Sequence, residues 1–184
     1  HLQVRMPSFD YTDEEWNDLI SYFQQKDNLD LIYEDPHNFT LNSSSFKAGQ
    51  RIAEMGACSN CHFYGEEKPK QDALTWAPNL VLTKERLRPE WLVEWFINPQ
   101  DVMPGTKMPA PYIPTEEPQN SIREVWGSDV AQISRDSTKL YKSLIDWMWG
   151  MEGRKDVSSI VRRHLNSQGY GFIIEEEDDW GDEW

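Results

Sequence analysis

The chain lacks features that define several large classes of protein. No apolar run approaches the roughly 20 residues that a membrane-spanning helix needs, so the sequence predicts no transmembrane segment. Basic residues are scarce, 18 against 32 acidic ones among 184 residues. The resulting formal net charge of −14 excludes nucleic acid as the default partner. The acidic excess favours a basic partner, or it serves solubility alone.

Cysteine is almost absent, with two residues in the whole chain, and both lie in the pentapeptide 58–62, CSNCH. A structural zinc site would need two further ligands at finger-like spacing. No such pair is formed by the other histidines, which are His1, His37 and His164. A thioredoxin-type redox pair would follow a strand, whereas the residues before Cys58 predict a helix. A disulfide across two intervening residues would close a very short loop and contribute little.

The pentapeptide has the C-x-x-C-H pattern of covalent haem attachment. Each thiol adds to one vinyl group of the porphyrin, so Cys58 and Cys61 fix the edge of the ring against a short helical turn. His62, one residue on, then lies under the iron as its proximal ligand. We favour this interpretation over zinc, redox and disulfide because it alone explains the histidine. It predicts one haem c attached to this chain.

A second motif lies downstream in residues 103–109, MPGTKMP. With it the chain resembles the class I cytochromes c, whose sixth iron ligand is the methionine of a P-G-T-K-M loop. The resemblance covers about residues 45–150 and includes an amphipathic helix at 89–96 ahead of the loop. It implies Met108 as the axial ligand, a soft thioether that favours Fe(II) and raises the potential. Met103 also precedes a proline and is the competitor, and the other alternative is that Met108 fills a gap in the core.

Three further positions match the family pattern. Residues 76–80, WAPNL, resemble the family's G-P-N-L segment with alanine in place of glycine. The resemblance implies that the carbonyl of Pro78 accepts a hydrogen bond from the second ring nitrogen of His62 and so orients the ring. The family places a bulky residue of the helix that precedes the methionine loop against the haem, and we expect Trp95 in that role. Gly49 resembles the small residue where the first and last helices cross.

The predicted fold class is all-α, a cytochrome c fold with a helical N-terminal arm and an acidic C-terminal tail. We expect the arm at residues 1–27, a polar linker at 28–44, the haem domain at 45–150 and the tail at 151–184. Residues 129–148 predict the closing helix of the haem domain. The tail combines an apolar run with an acidic end, which indicates docking on a partner subunit.

The arm has its own internal pattern. Thr12 and Glu15 form a capping box at the start of a predicted helix with one apolar face. Met6, followed by a proline, precedes that helix. The order resembles the methionine loop and closing helix of another class I domain. The hypothesis is that Met6 ligates a second haem whose cysteines lie on a segment absent from this chain, and the alternative is that Met6 is an ordinary loop residue.

The resemblance implies one-electron transfer with both axial positions filled, rather than an enzyme acting by itself. The appendages favour a relay subunit of a larger redox complex, with other redox proteins as partners. A free periplasmic shuttle, and a haem enzyme or gas sensor with an open iron site, remain the alternatives. Covalent haem is attached outside the cytoplasm, so we expect the periplasm or another extracytoplasmic compartment. A chain that begins at His1 without a signal peptide is then expected to be mature or trimmed.

Overall fold

The structure is a computed structural model that describes residues 9–27 and 37–171. These residues form helices and short 3₁₀ turns joined by loops, and they contain no β-sheet, so the predicted all-α class is confirmed. Within these two ranges no helix is long and apolar enough to cross a membrane. The chain divides into two compact units between Pro36 and His37.

The described part of the first unit contains one helix, α1 (Asp13–Asp27). The predicted capping box is present: the Glu15 amide donates to the Thr12 hydroxyl at 3.3 Å, and the Thr12 amide donates to the Glu15 carboxylate at 2.8 Å. Acidic side chains in the first turn complement the helix dipole. Six large apolar side chains in the described part of this unit are exposed, namely Phe9, Tyr11, Trp16, Ile20, Tyr22 and Phe23.

The second unit contains the other described helices. They are α2 (Ser44–Met55), α3 (Thr83–Arg86), α4 (Pro89–Ile97), α5 (Pro99–Val102), α6 (Gln119–Val125), α7 (Ser128–Ile133), α8 (Ser137–Trp149) and α9 (Ser158–Ser167). Ser43 caps α2 by accepting a hydrogen bond from the Phe46 amide, and Asp136 caps α8 by accepting one from the Lys139 amide. The cap at Asp136 divides the predicted closing helix, because residues 134–136 separate α7 from α8.

Helices α2 and α8 cross at Gly49. A Cβ atom at this position would lie 1.8 Å from the carbonyl oxygen of Ser143 on α8, so the approach of the two backbones requires glycine. Ile52 of α2 and Leu140 of α8 are fully buried beside the crossing. The expected role of Gly49 therefore agrees with the structure.

The core of the second unit lies between α2, α4, α6, α7 and α8. Its larger buried side chains are Ile52, Leu92, Phe96, Ile122, Trp126, Val130, Leu140, Leu144, Ile145, Trp147 and Trp149. Cys58, Leu80, Trp95 and Met108 are half-buried and pack against this cluster. One residue of each sequence motif, Cys58 and Met108, thus packs against the same core.

Segments outside the predicted haem domain also pack on this unit. His37 Nε2 lies 2.7 Å from the Asp146 carboxylate of α8, and Phe39 packs against the core. Residues 37–43, expected as linker, therefore belong to the second unit. At the other end, the ring of His164 on α9 lies 4.7 Å from that of Trp76. The described part of the predicted tail is likewise folded against the core unit.

Candidate functional site

The residues of the C-x-x-C-H motif are held in a single hydrogen-bonded turn. After α2 the chain changes direction at Ala57, which has a φ of 51°, and a 3₁₀ turn follows at Cys58–Asn60. The Cys58 carbonyl accepts hydrogen bonds from the amides of Cys61 at 3.2 Å and His62 at 2.9 Å. Both thiols and the imidazole are therefore carried by one short helical turn, as the motif predicts.

The two thiols are free and half-buried. Burial raises the pKa of the Cys58 thiol to about 11, so this thiol is protonated at neutral pH. Redox-active C-x-x-C pairs instead contain a thiol of lowered pKa, since the thiolate is the reactive species. Helix α2, rather than a strand, precedes the motif. Both observations count against a thioredoxin-type dithiol. In the described part of the chain, no three His, Cys, Asp or Glu side chains group as a metal site would need.

The orientation of His62 is fixed by the carbonyl of Pro78. The distance between His62 Nδ1 and the Pro78 oxygen is 2.8 Å. A carbonyl oxygen only accepts, so Nδ1 carries the proton and donates it. Burial lowers the pKa of His62, which keeps the imidazole neutral and leaves a lone pair on Nε2. The geometry thus leaves Nε2 of His62 able to serve as a metal ligand, and the Pro78 carbonyl lies where the resemblance implied.

The loop that carries Pro78 runs beside the motif and is held by backbone hydrogen bonds. The Ala77 amide donates to the Cys61 carbonyl at 2.8 Å, and the Leu80 amide donates to the Phe63 carbonyl at 3.0 Å. Among the described non-glycine residues, a positive φ occurs only at Asn42 and at the residue before Cys58. Alanine at position 77 therefore fits this loop without strain, although the class I pattern has glycine there.

The methionine loop distinguishes Met108 from Met103. Met108 is half-buried and packs against the core, whereas the Met103 side chain is 56% exposed. The indole Nε1 of Trp95 donates a hydrogen bond to the Met108 sulfur at 2.9 Å. Trp95 also stacks on Trp91, with ring centroids 5.1 Å apart. Of the two candidate methionines, Met108 is thus the one whose sulfur is held in a defined position, by the hydrogen bond from Trp95.

The turn that precedes Met108 is fixed by Gln100. The Gly105 amide donates to Gln100 Oε1 at 3.3 Å, and Gln100 Nε2 donates to the Thr106 carbonyl. Gly105 has a φ of 88°, which favours glycine at this turn. Lys107 Nζ donates to the carbonyl of Leu74 at 3.1 Å and so ties the methionine loop to the segment that follows the cysteine motif. Gln100 was not predicted, because an exposed glutamine on a short helix has no distinctive sequence signal.

Asn79 is the other residue that sequence reasoning missed. Its side chain is 5% exposed and links the loop to residues 154 and 155, about which the sequence motif says nothing.

The structure thus brings Cys58, Cys61, His62 and Pro78 together. Met6 and residues 172–184 lie outside the described residues, so the hypotheses about a second haem and about the acidic end stay predictions.

Comparison with family models, with curated proteins and with solved structures finds no match for this chain.

Proposed function

We propose that this chain is a c-type cytochrome module of the class I fold, which transfers single electrons on one covalently attached haem. The observation that carries the proposal is the hydrogen bond from His62 Nδ1 to the Pro78 carbonyl, made by a histidine that shares one short turn with two free thiols. A neutral histidine whose second nitrogen is hydrogen-bonded to a carbonyl is the usual form of a metal-ligating histidine.

The chemistry of the side chains fits this group. Cys58 and Cys61 are unpaired, as thioether formation requires, and they would hold the porphyrin edge. His62 would provide a nitrogen ligand and Met108 a thioether ligand to the iron. Trp95, which stacks on Trp91, would offer its flat apolar surface to the porphyrin, as the resemblance implies. When bound, the haem supplies a one-electron Fe(III)/Fe(II) couple.

The residues around the two ligands tune this couple. Pro78 fixes the tautomer of His62 and raises the basicity of its free nitrogen. Trp95 donates to the Met108 sulfur, which holds the thioether in one position and withdraws electron density from it. If His62 and Met108 both bound the iron, no position would be left for a substrate or gas at the metal. The arrangement therefore favours electron transfer over a haem enzyme or a gas sensor.

We assign the module to a larger redox complex rather than to a free shuttle. The apolar side chains of Phe9, Trp16, Ile20 and Phe23 are exposed, and exposed apolar groups of this kind mark interaction sites. A shuttle, in contrast, relies on small and weak interfaces. The partners in this proposal are other redox subunits, and the compartment is extracytoplasmic because covalent haem is attached there.

Covalent attachment is tested directly. We expect the denatured protein, produced in cells that mature c-type cytochromes, to keep its haem through acid–acetone extraction. A Cys58→Ala, Cys61→Ala double variant is the control and should release any bound pigment. Release of the pigment from the unaltered protein would contradict the proposed function. Carbon monoxide added to the reduced protein should leave its spectrum unchanged, whereas a new band would favour the open-site alternative.

A further inference from the structure

We propose that Asn79 and residues 153–155 form a clamp that holds the Pro78 carbonyl in place and thereby positions His62. The inference rests on the proposed function, and it extends the redox site to a segment outside the part of the chain that resembles class I cytochromes. In this proposal Asn79 is a positioning residue, because it acts on His62 through Pro78 and does not itself meet the haem.

The Asn79 side chain uses both of its polar atoms. Its Oδ1 accepts hydrogen bonds from the amides of Gly65 at 3.0 Å and Val81 at 3.3 Å. Its Nδ2 donates to the carbonyls of Arg154 at 2.9 Å and Lys155 at 3.1 Å. Both Nδ2 hydrogens and both Oδ1 lone pairs of this buried amide are therefore engaged. The Oδ1 atom therefore binds residues near the cysteine motif and the Pro78 loop, and the Nδ2 atom binds the C-terminal segment.

Asn79 is joined to the critical carbonyl by a single peptide group. The carbonyl that accepts from His62 Nδ1 belongs to the Pro78–Asn79 peptide, whose atoms lie in one plane. Fixing Asn79 on both of its sides consequently restricts rotation of that plane. The orientation of the acceptor for His62 thus depends on where the C-terminal segment lies.

The C-terminal segment is itself held close to this loop. A Cβ atom on Gly65 would lie 3.4 Å from Gly153 Cα and 3.4 Å from the Arg154 amide nitrogen, so a methyl group on Gly65 would already contact the backbone of the C-terminal segment. Arg154 also lies 3.6 Å from Glu66, and Lys155 forms an ion pair with Glu85. Exposed ion pairs contribute little by themselves. The buried amide of Asn79 is therefore the main connection, with the ion pairs as support.

Helix α9 contacts the same loop at Trp76, which precedes Pro78 in the sequence, whereas Asn79 follows it. Trp76, two residues before the proline, lies 4.7 Å from the His164 ring and 5.2 Å from the Phe63 ring. The indole Nε1 of Trp76 also donates to the Gln71 carbonyl at 3.1 Å. The peptide that orients His62 is thus flanked by two anchored residues, and each of them contacts the C-terminal segment.

Loosening the clamp should weaken the hydrogen bond from His62 to Pro78. Because that bond raises the basicity of the ligand, its loss makes the imidazole a weaker donor and disfavours Fe(III). The test uses the haem-loaded Asn79→Ala protein, with Gln119→Ala as the matched control. Gln119 is an amide on α6 that donates to Ser134 at 2.8 Å, in another part of the unit.

We expect Asn79→Ala to raise the Fe(II) to Fe(III) ratio at a fixed applied potential by about tenfold, which corresponds to about 59 mV for one electron. The His62 Nδ1 proton, followed by NMR, should also exchange faster with solvent. Gln119→Ala should change neither quantity.

A pair of truncations keeps the test valid if Asn79→Ala does not fold. A chain ending at Glu152 removes the C-terminal half of the clamp, whereas a chain ending at Gly169 keeps it. We expect a higher ratio of Fe(II) to Fe(III) in the shorter chain than in the longer one, and the longer chain is the reference for this comparison. The chain ending at Glu152 differs from the chain ending at Gly169 only by residues 153–169, which are net basic, so between these two chains the loss of charge alone would move the ratio in the opposite direction.

The outcomes separate the two proposals. An unchanged potential and unchanged ring-proton exchange in Asn79→Ala, or in the chain ending at Glu152, with the haem still covalently bound, would overturn the clamp alone. Loss of haem from the unaltered protein on denaturation would overturn the proposed function, and the clamp with it.

Discussion

The indole Nε1 of Trp95 and the sulfur of Met108 lie 2.9 Å apart, in a donor–acceptor contact between α4 and the methionine loop. The sequence predicted both residues for the site but not the bond between them. A hydrogen bond to a thioether sulfur withdraws electron density from the atom that would face the metal. The hydrogen bond therefore holds Met108 in position, and in the proposed haem site it would also set the strength of Met108 as a ligand.

The first prediction removes this donor while an aromatic ring is kept. Trp95→Phe should lower the midpoint potential, because the sulfur then donates more strongly and Fe(III) is relatively stabilised. A neutral hydrogen bond of about 1 kcal/mol sets the scale, which is a fewfold change in the ratio of reduced to oxidised protein. Potentiometric titration provides the measurement. Trp91→Phe is the matched control, since Trp91 stacks on Trp95. An equal shift in both variants would assign the effect to packing rather than to the hydrogen bond.

The second prediction concerns the identity of the axial methionine. Met108→Ala should abolish the weak charge-transfer band of an iron–thioether bond in the oxidised protein and lower the potential, because a soft ligand is lost. Met103→Ala should leave both unchanged, since the Met103 side chain is 56% exposed. The opposite pattern would show that the loop had been aligned incorrectly with the class I motif.

The third prediction concerns the crossing of α2 and α8. Gly49→Ala should reduce the free energy of unfolding by about 1–3 kcal/mol or more, the cost of overpacking a well-packed contact. The new methyl group would otherwise lie 1.8 Å from the Ser143 carbonyl oxygen, so the helices must separate. Urea unfolding followed by circular dichroism measures the change. Gly171→Ala is the control, because a Cβ atom there meets nothing within 4 Å. A stability equal to that of the control would mean that the helices do not cross as described.

The sequence was most informative where structure depends on neighbours within a few residues. The capping box of Thr12 and Glu15 could be predicted because its partners are three residues apart. The closing helix was predicted as continuous over 129–148, but in the structure Asp136 caps a new helix. A polar residue such as this aspartate can also stand on the exposed face of a continuous helix. The pattern of hydrophobic residues therefore did not reveal the break between the two helices.

The site itself was predicted only in part. The contact between His62 and Pro78 could be expected because both residues belong to motifs with a known order. The contacts of Asn79 with the carbonyls of Arg154 and Lys155 could not, since these partners are 75 and 76 residues away and are backbone atoms. Every residue has a backbone carbonyl, so its use as an acceptor leaves no trace in the choice of side chain.

The last prediction concerns the pH dependence of the N-terminal helix α1. The Thr12 amide, and then the Thr12 hydroxyl, donate to the Glu15 carboxylate and lower the pKa of Glu15 from its ordinary 4.5. A carboxylate whose pKa is lower in the folded state stabilises that state above its unfolded pKa, and the stabilisation is lost as the pH falls through the folded value. The cap should therefore persist at pH 4.5 and open only in more acidic solution.

NMR of the Thr12 amide proton measures this directly, because the proton points at the titrating group. We expect its chemical shift to titrate with a midpoint below 4.5, together with loss of protection against exchange on acidification. Thr12→Ala should move the midpoint upward only in part, since the backbone donor remains. Glu15→Gln should remove the titration from this resonance, because the amide side chain keeps an acceptor but has no charge to lose. A midpoint at or above 4.5 in the unaltered protein would show that the reciprocal cap does not form in solution.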